Sequence, residues 1–77
     1  MKTVTIRVGK GEPMFMTWDP TQSAAPIKLD GQETGFQTAD AKHSTKQAVR
    51  LVLRAPCAAD GVSVDDVWDD VEYHATP

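Results

Sequence analysis

Apolar and polar residues alternate at the beginning of the chain. Val4, Ile6 and Val8 are separated by threonine and arginine, a period-2 pattern that predicts a strand with one buried face. Residues 9–11 (Gly-Lys-Gly) interrupt this pattern, and residues 13–18 then form an apolar run. Because glycine-rich breaks between such runs favour turns, we predict that the two segments pair as a β-hairpin.

A second pair of strands is predicted between residues 27 and 38. The preceding residues 20–26 have loop composition, since proline and small residues contribute little to a sheet. Ile27 and Leu29 alternate with a lysine and are followed by the turn dipeptide Asp30-Gly31. We expect residues 32–38 to return as the partner strand.

The pattern changes at Ser44, where a helix is predicted to begin. Ser44 and Gln47 have the spacing of a capping box in front of the largely apolar residues 48–54. A helix here would end before Pro56 and would place three basic residues in one i, i+4 column: Lys46, Arg50 and Arg54. A strand over residues 44–54, with apolar and basic residues on opposite faces, is the alternative. We favour the helix, although a short apolar run does not decide between the two.

A second helix is predicted to begin at Ser63, a good N-cap residue followed by Asp65 and Asp66 in the first turn. Its apolar stripe would consist of residues at i, i+3, i+4 and i+7: Val64, Val67, Trp68 and Val71. Residues 73–75 either continue this helix or form a last extended segment.

These elements predict an α+β fold with a single domain over residues 1–77. A small antiparallel sheet from the N-terminal half would be covered by one or two helices from the C-terminal half. A chain of 77 residues buries only about 60% of the surface that its unfolded form exposes, so the core must be small. We expect it to contain Val4, Ile6, Val8, Phe36, Val49, Val52, Val67 and Trp68.

Cysteine content and hydropathy indicate where the protein works. The chain has one cysteine, so it forms no internal disulfide, which is typical of a reducing compartment. Neither a signal-peptide pattern nor an apolar run of membrane-spanning length is visible. We therefore expect a soluble protein of the cytoplasm without a membrane partner.

The sequence offers little support for catalysis or metal binding. Cys57 with His43 or His74 could form a nucleophile and base, but no motif supports either pair, and a lone cysteine is more often a buried apolar residue. Residues 60–66 carry acids, but their glycine stands second and valines separate the polar residues, unlike a calcium loop. We expect no enzymatic activity, no metal and no cofactor.

Charge is strongly segregated along the chain. Residues 1–54 contain eight basic and five acidic side chains, a formal charge of +3, whereas residues 55–77 contain six acids and no Lys or Arg. A concentration of one sign of charge attracts a partner of the opposite sign. The candidate partner-binding residues are therefore these acids: Asp60, Asp65, Asp66, Asp69, Asp70 and Glu72.

A basic partner fits this pattern better than DNA or RNA. The column formed by Lys46, Arg50 and Arg54 could contact a phosphate or two, but it is also what a solvated helix face looks like, and the acidic segment would repel the rest of a duplex. Carboxylates spaced about 6 Å apart along a helix approximate the charge spacing of a phosphate backbone. Such a surface could occupy a protein site that normally binds nucleic acid.

In size, in its lack of catalytic motifs and in the acidic pattern of residues 60–72, the chain resembles small phage-encoded anti-CRISPR proteins. Several members of that group present acidic side chains to the channel in which a CRISPR-Cas surveillance complex binds its target DNA. The resemblance implies a non-enzymatic, DNA-mimicking inhibitor whose partner is a basic surface of such a complex. It also implies a monomer that acts in the host-cell cytoplasm. The net positive charge of residues 1–54 distinguishes this chain from members of the group that are acidic throughout.

A different class of function is also compatible with the sequence. A small phage structural or accessory protein could self-associate through the apolar run of the second strand, whose large side chains are Met14, Phe15, Met16 and Trp18. A strand that is apolar on both faces requires burial on both sides. Self-association would provide the second covering layer.

Overall fold

The computed structural model describes residues 1–76 and has an α+β fold. A five-stranded antiparallel sheet has the strand order β4-β3-β2-β1-β5 and is packed on one face by helices. The strands are β1 (Lys2–Val8), β2 (Met14–Trp18), β3 (Pro26–Leu29), β4 (Gln32–Gln37) and β5 (Val71–Thr76). The α-helices are α1 (Thr45–Val52), α2 (Arg54–Ala59) and α3 (Val64–Val67), and 3-10 turns occupy Thr38–Ala41 and Trp68–Asp70.

Both predicted hairpins are confirmed. In the first, Ile6 lies opposite Met14 and Val4 opposite Met16. The second, between β3 and β4, turns at Asp30 and Gly31, whose φ angles are 51° and 82°. Two consecutive positive φ angles characterise the tight turns that match the twist of paired strands, and Asp-Gly adopts them readily.

The core lies between the inner face of the sheet and the helical layer. Its fully buried residues come mainly from β1, β2, β3 and α1: Val4, Ile6, Met16, Trp18, Ile27, Ala48, Val49, Val52 and Leu53. Of the eight predicted core residues, four are buried, and the other four are partly buried and pack against the same cluster: Val8, Phe36, Val67 and Trp68. The outer face of the sheet carries the alternate residues of each strand, and within residues 1–76 no helix packs against it.

Residues 45–52 are helical, so the helix was the correct alternative. Ser44 is the N-cap, and its Oγ lies 3.5 Å from the backbone N of Gln47. The helix ends at Val52 because Pro56 has no N–H to donate to the Val52 carbonyl. A further short helix, α2, was not predicted; Pro56 lies in its first turn, where the missing donor costs little.

The helix predicted to begin at Ser63 is much shorter than expected. Only Val64–Val67 is α-helical, a 3-10 turn follows, and Val71 begins a strand rather than continuing the apolar stripe. Residues 73–75 are therefore extended, which was one of the two alternatives. β5 pairs with β1 from Val8 opposite Val71 to Thr3 opposite Thr76, and so completes the second edge of the N-terminal strand.

Candidate acidic binding site

The six candidate acids are all exposed to solvent, but they lie on four different elements. Asp60 follows α2, Asp65 and Asp66 belong to α3, and Asp69 and Asp70 to the 3-10 turn. Glu72 lies on β5. The expected helical spacing, with carboxylates one turn apart at i and i+4, is therefore wrong, because the helix ends at Val67.

Asp65 differs from the other five acids in having a cationic partner. Its carboxylate forms an ion pair with the Arg50 guanidinium of α1. The Arg50 guanidinium carbon also lies 4.9 Å from the ring centroid of Trp68, within the range of a cation–π contact. Arg50 thus connects α1 to α3 and to the 3-10 turn that follows it, and it neutralises one of the six candidate charges.

Glu72 is separated from the other acids by the direction of its side chain. It lies opposite Arg7 on β1, and Arg7 alternates with the inward-facing Ile6 and Val8. Glu72 therefore lies on the outer face of the sheet, where it lines a shallow depression together with Thr5, Arg7, Pro13 and His74. A cation on the neighbouring strand reduces its value as part of an acidic surface.

Two of the remaining acids, Asp69 and Asp70, lie on the 3-10 turn, next to the connection between β1 and β2. The backbone N–H of Gly9 donates to the Asp70 carbonyl at 2.8 Å, which places the 3-10 turn beside this connection. Asp60 and Glu12 line one cleft, with Val67 of α3 also in its wall. We call Glu12, Asp60, Asp66, Asp69 and Asp70 the acidic end.

Glu12 was missed by sequence reasoning because it lies in the half of the chain with net positive charge. The pairing of β1 with β5 brings its turn to Asp70, and Glu12 shares a cleft with Asp60. Among residues 1–76 the Arg50–Asp65 pair is the one ion pair within 4.0 Å. The carboxylates of the acidic end are therefore free to meet an external cation.

The basic column predicted on α1 does not form a uniform solvated face. Lys46 and Arg54 are exposed, whereas the side chain of Arg50 is 31% exposed and engaged with Asp65. Lys46 and Arg54 are therefore the cations of this column that remain available to an external partner.

The residues considered for catalysis are not brought together. Cys57 is buried on α2, and burial, with a smaller contribution from Asp60, raises the pKa of its thiol. His43 Nδ1 lies 2.9 Å from the Pro20 carbonyl in a loop, and His74 lies on the outer face of the sheet. A buried protonated thiol without an adjacent imidazole is a poor nucleophile.

The apolar residues considered for self-association mostly serve this chain's own core. Met16 and Trp18 are fully buried, and Met14 packs against the same cluster. Phe15 alone faces outward and is 47% exposed. The second strand is therefore covered on its apolar face by the helical layer, and one exposed phenylalanine is an ordinary surface feature.

No protein-family model, curated protein or solved structure matches this chain. Among residues 1–76, no three His, Cys, Asp or Glu side chains are grouped so as to hold a metal ion. None of the helices in the described part of the chain has the length and apolar character required to cross a bilayer.

Proposed function

We propose that this protein is a non-enzymatic inhibitor that binds a basic, nucleic-acid-binding surface of another protein through its acidic end. The observation that carries this proposal is a set of exposed carboxylates without a cationic partner among residues 1–76. They lie on the β1–β2 turn, on the neighbouring 3-10 turn, and at Asp60 and Asp66. Unpaired charges of one sign on a small surface accelerate encounter with a cationic groove and orient the partner.

The partner surface that this proposal favours is one lined by lysine and arginine for nucleic acid. Such grooves hold cations at the spacing of phosphates, so carboxylates can replace the phosphates without reproducing the bases. By its resemblance to anti-CRISPR proteins, we assign the partner to the target-DNA channel of a CRISPR-Cas surveillance complex in the host cytoplasm. Asp65 and Glu72 have a secondary role in this proposal, because Arg50 and Arg7 lie beside them.

The proposal is tested by neutralising two carboxylates of the acidic end in the variant Asp69→Asn/Asp70→Asn. The matched control, Ser23→Lys/Gln32→Lys, changes the net charge equally, from −3 to −1, at exposed positions on other elements. Charge pairs across an interface are coupled by about 1.5 kcal/mol or more each, so losing two should weaken binding roughly 100-fold.

The assay is competition between this protein and a fluorescent target duplex for a purified surveillance complex, followed by anisotropy. The wild type and the control should displace the duplex at similar concentrations, and the Asn variant should not. Added salt should weaken the wild-type complex, since exposed charges are screened. If the control variant lost as much inhibition as the Asn variant, or if the Asn variant inhibited as well as the wild type, the acidic end would be rejected as the binding surface.

A further inference from the structure

The two edges of the sheet differ in how open they are to another strand. At the β4 edge, Gly35 has a φ of +82° and the pairing with β3 shifts register, and such irregularities obstruct the addition of a strand. At the β5 edge, Val71–Thr76 is paired with β1 in one uninterrupted register. It contains no lysine, proline or bulge, and its outer side pairs with no strand among residues 1–76.

The hydrogen-bonding register shows which groups of β5 are unused. Gly9 donates to the Asp70 carbonyl, and these two residues are the next partners after Val8 and Val71. Hydrogen-bonded pairs alternate along an antiparallel ladder. Glu72 and His74 therefore direct their main-chain groups toward β1, whereas the outer edge presents the N–H and C=O groups of Val71, Tyr73 and Ala75.

We propose that the β5 edge pairs with the β5 edge of a second copy of this chain, giving a two-fold symmetric dimer with a continuous sheet. In the central antiparallel register, Tyr73 lies opposite Tyr73 of the second copy and Val71 opposite Ala75. These three rows use every outward main-chain group of β5. Residues that lie opposite each other in an antiparallel pair must be on the same face of the sheet, and Val71, Tyr73 and Ala75 all lie on the helix side.

Side-chain complementarity selects this register over its neighbours. Glu72 lies opposite His74 of the second copy, twice in the dimer, in the non-hydrogen-bonded rows where side chains are closest. The carboxylate accepts a hydrogen bond from an imidazole N–H. A shift of two residues would place Glu72 opposite Glu72 or His74 opposite His74, so both neighbouring registers bring like groups together.

The groups that face this contact are few. On its own chain, His74 has Thr5 across the β1 pairing, and Glu72 has Arg7. Arg7 does not close the edge, because β1 lies on the inner side of β5. The dimer does not depend on the acidic end, so this inference is independent of the proposed function.

The main-chain part of the proposal is tested with Ala75→Pro, which removes an outward N–H and no donor to β1. The matched control Ala75→Val keeps the N–H and favours a strand. Sedimentation velocity from micromolar to millimolar concentration should show wild type and Ala75→Val shifting from 8.4 kDa to twice that mass. Ala75→Pro should remain a monomer, with thermal unfolding confirming that it is folded.

The register is tested by exchanging the two polar residues. Glu72→Lys and His74→Glu should each weaken the dimer about tenfold, because each removes two symmetric contacts. The double variant Glu72→Lys/His74→Glu restores opposite charges in the central register alone and should recover the wild-type dimer. A wild type that stays monomeric, for instance because the edge binds another protein, would overturn the proposal. A dimer that survives Ala75→Pro or is not rescued by the exchange would also overturn it.

Discussion

The variant Arg50→Ala should show how strongly the Arg50 side chain holds α3 and the following 3-10 turn to α1. An ion pair between exposed groups contributes about 0.2–1 kcal/mol, and Asp65 is 77% exposed. A cation–π contact of a partly exposed arginine contributes about 0.5–1 kcal/mol. We therefore expect Arg50→Ala to reduce the free energy of unfolding by about 1–2 kcal/mol, including some packing of the aliphatic stem.

For a domain of this size, each kcal/mol corresponds to a shift of about 4–8 °C in Tm, so the loss is measurable by circular dichroism. Asp65→Asn removes the ion pair and leaves the contact with Trp68, and should cost less than Arg50→Ala. Arg50→Lys keeps a charge but loses the planar group. Its loss of unfolding free energy should lie between the losses of Asp65→Asn and Arg50→Ala.

A double-mutant cycle between Arg50→Ala and Trp68→Leu separates the aromatic contact from the ion pair. We expect a coupling energy of about 0.5–1 kcal/mol. If Asp65→Asn costs as much as Arg50→Ala, or if Arg50 and Trp68 are not coupled, then the cation–π contact adds no stability to the ion pair.

Three further outcomes follow from the burial and hydrogen bonds of single side chains. Trp18 Nε1 is buried without a hydrogen-bond partner among residues 1–76, and an orphaned donor costs about 1–3 kcal/mol. Trp18→Phe should therefore destabilise by less than about 1.5 kcal/mol, against about 2–5 kcal/mol for Ile6→Ala, as measured by urea unfolding. Cys57 is buried, and burial raises the pKa of its thiol. Because a reagent cannot reach a buried sulfur, alkylation should proceed only as fast as the protein opens, as followed by mass spectrometry in increasing urea. Hydrogen bonds from the Thr21 hydroxyl and backbone lower the pKa of Asp19. The ionised Asp19 carboxylate therefore stabilises the fold fully above the ordinary Asp pKa, and this stabilisation is lost as the pH falls through the lowered pKa. When Tm is measured against pH in the acid range, the Asp19→Asn variant should show a shallower decline than the wild type.

The first four strands were predictable because each contains a local signal. β1 shows strict alternation, and Asp30-Gly31 permits the positive φ angles of a tight turn. The helix at Ser44 has a competing interpretation, because Val49, Leu51 and Leu53 would also suit one face of a strand. What decides in favour of the helix is its packing position: Val49 and Val52 are both buried against the sheet, which only a helical periodicity allows.

The last strand could not be predicted from its own residues. Val64, Val67, Trp68 and Val71 satisfy a helical stripe, and the alternation of Val71 and Tyr73 is too short to outweigh it. The deciding factor is the second edge of β1, which would otherwise remain unpaired beside a buried core. That contact joins residues more than sixty positions apart, and no local pattern can report it.

This distant pairing also changes the physical basis of the candidate site. In the helical prediction the carboxylates would be held together by the spacing of one helix, so any break in that helix would disperse them. In the structure, Asp69 and Asp70 precede β5, and the hydrogen bond between Gly9 and Asp70 ties them to the turn that carries Glu12. The acidic end therefore depends on the β1–β5 ladder, whose outer side β5 also offers to a second chain. Because Asp70 stands at the start of β5, the antiparallel pairing of two β5 strands would place the two acidic ends at opposite ends of the shared edge, so a dimer would carry two separated anionic surfaces and could bind two cationic sites at once.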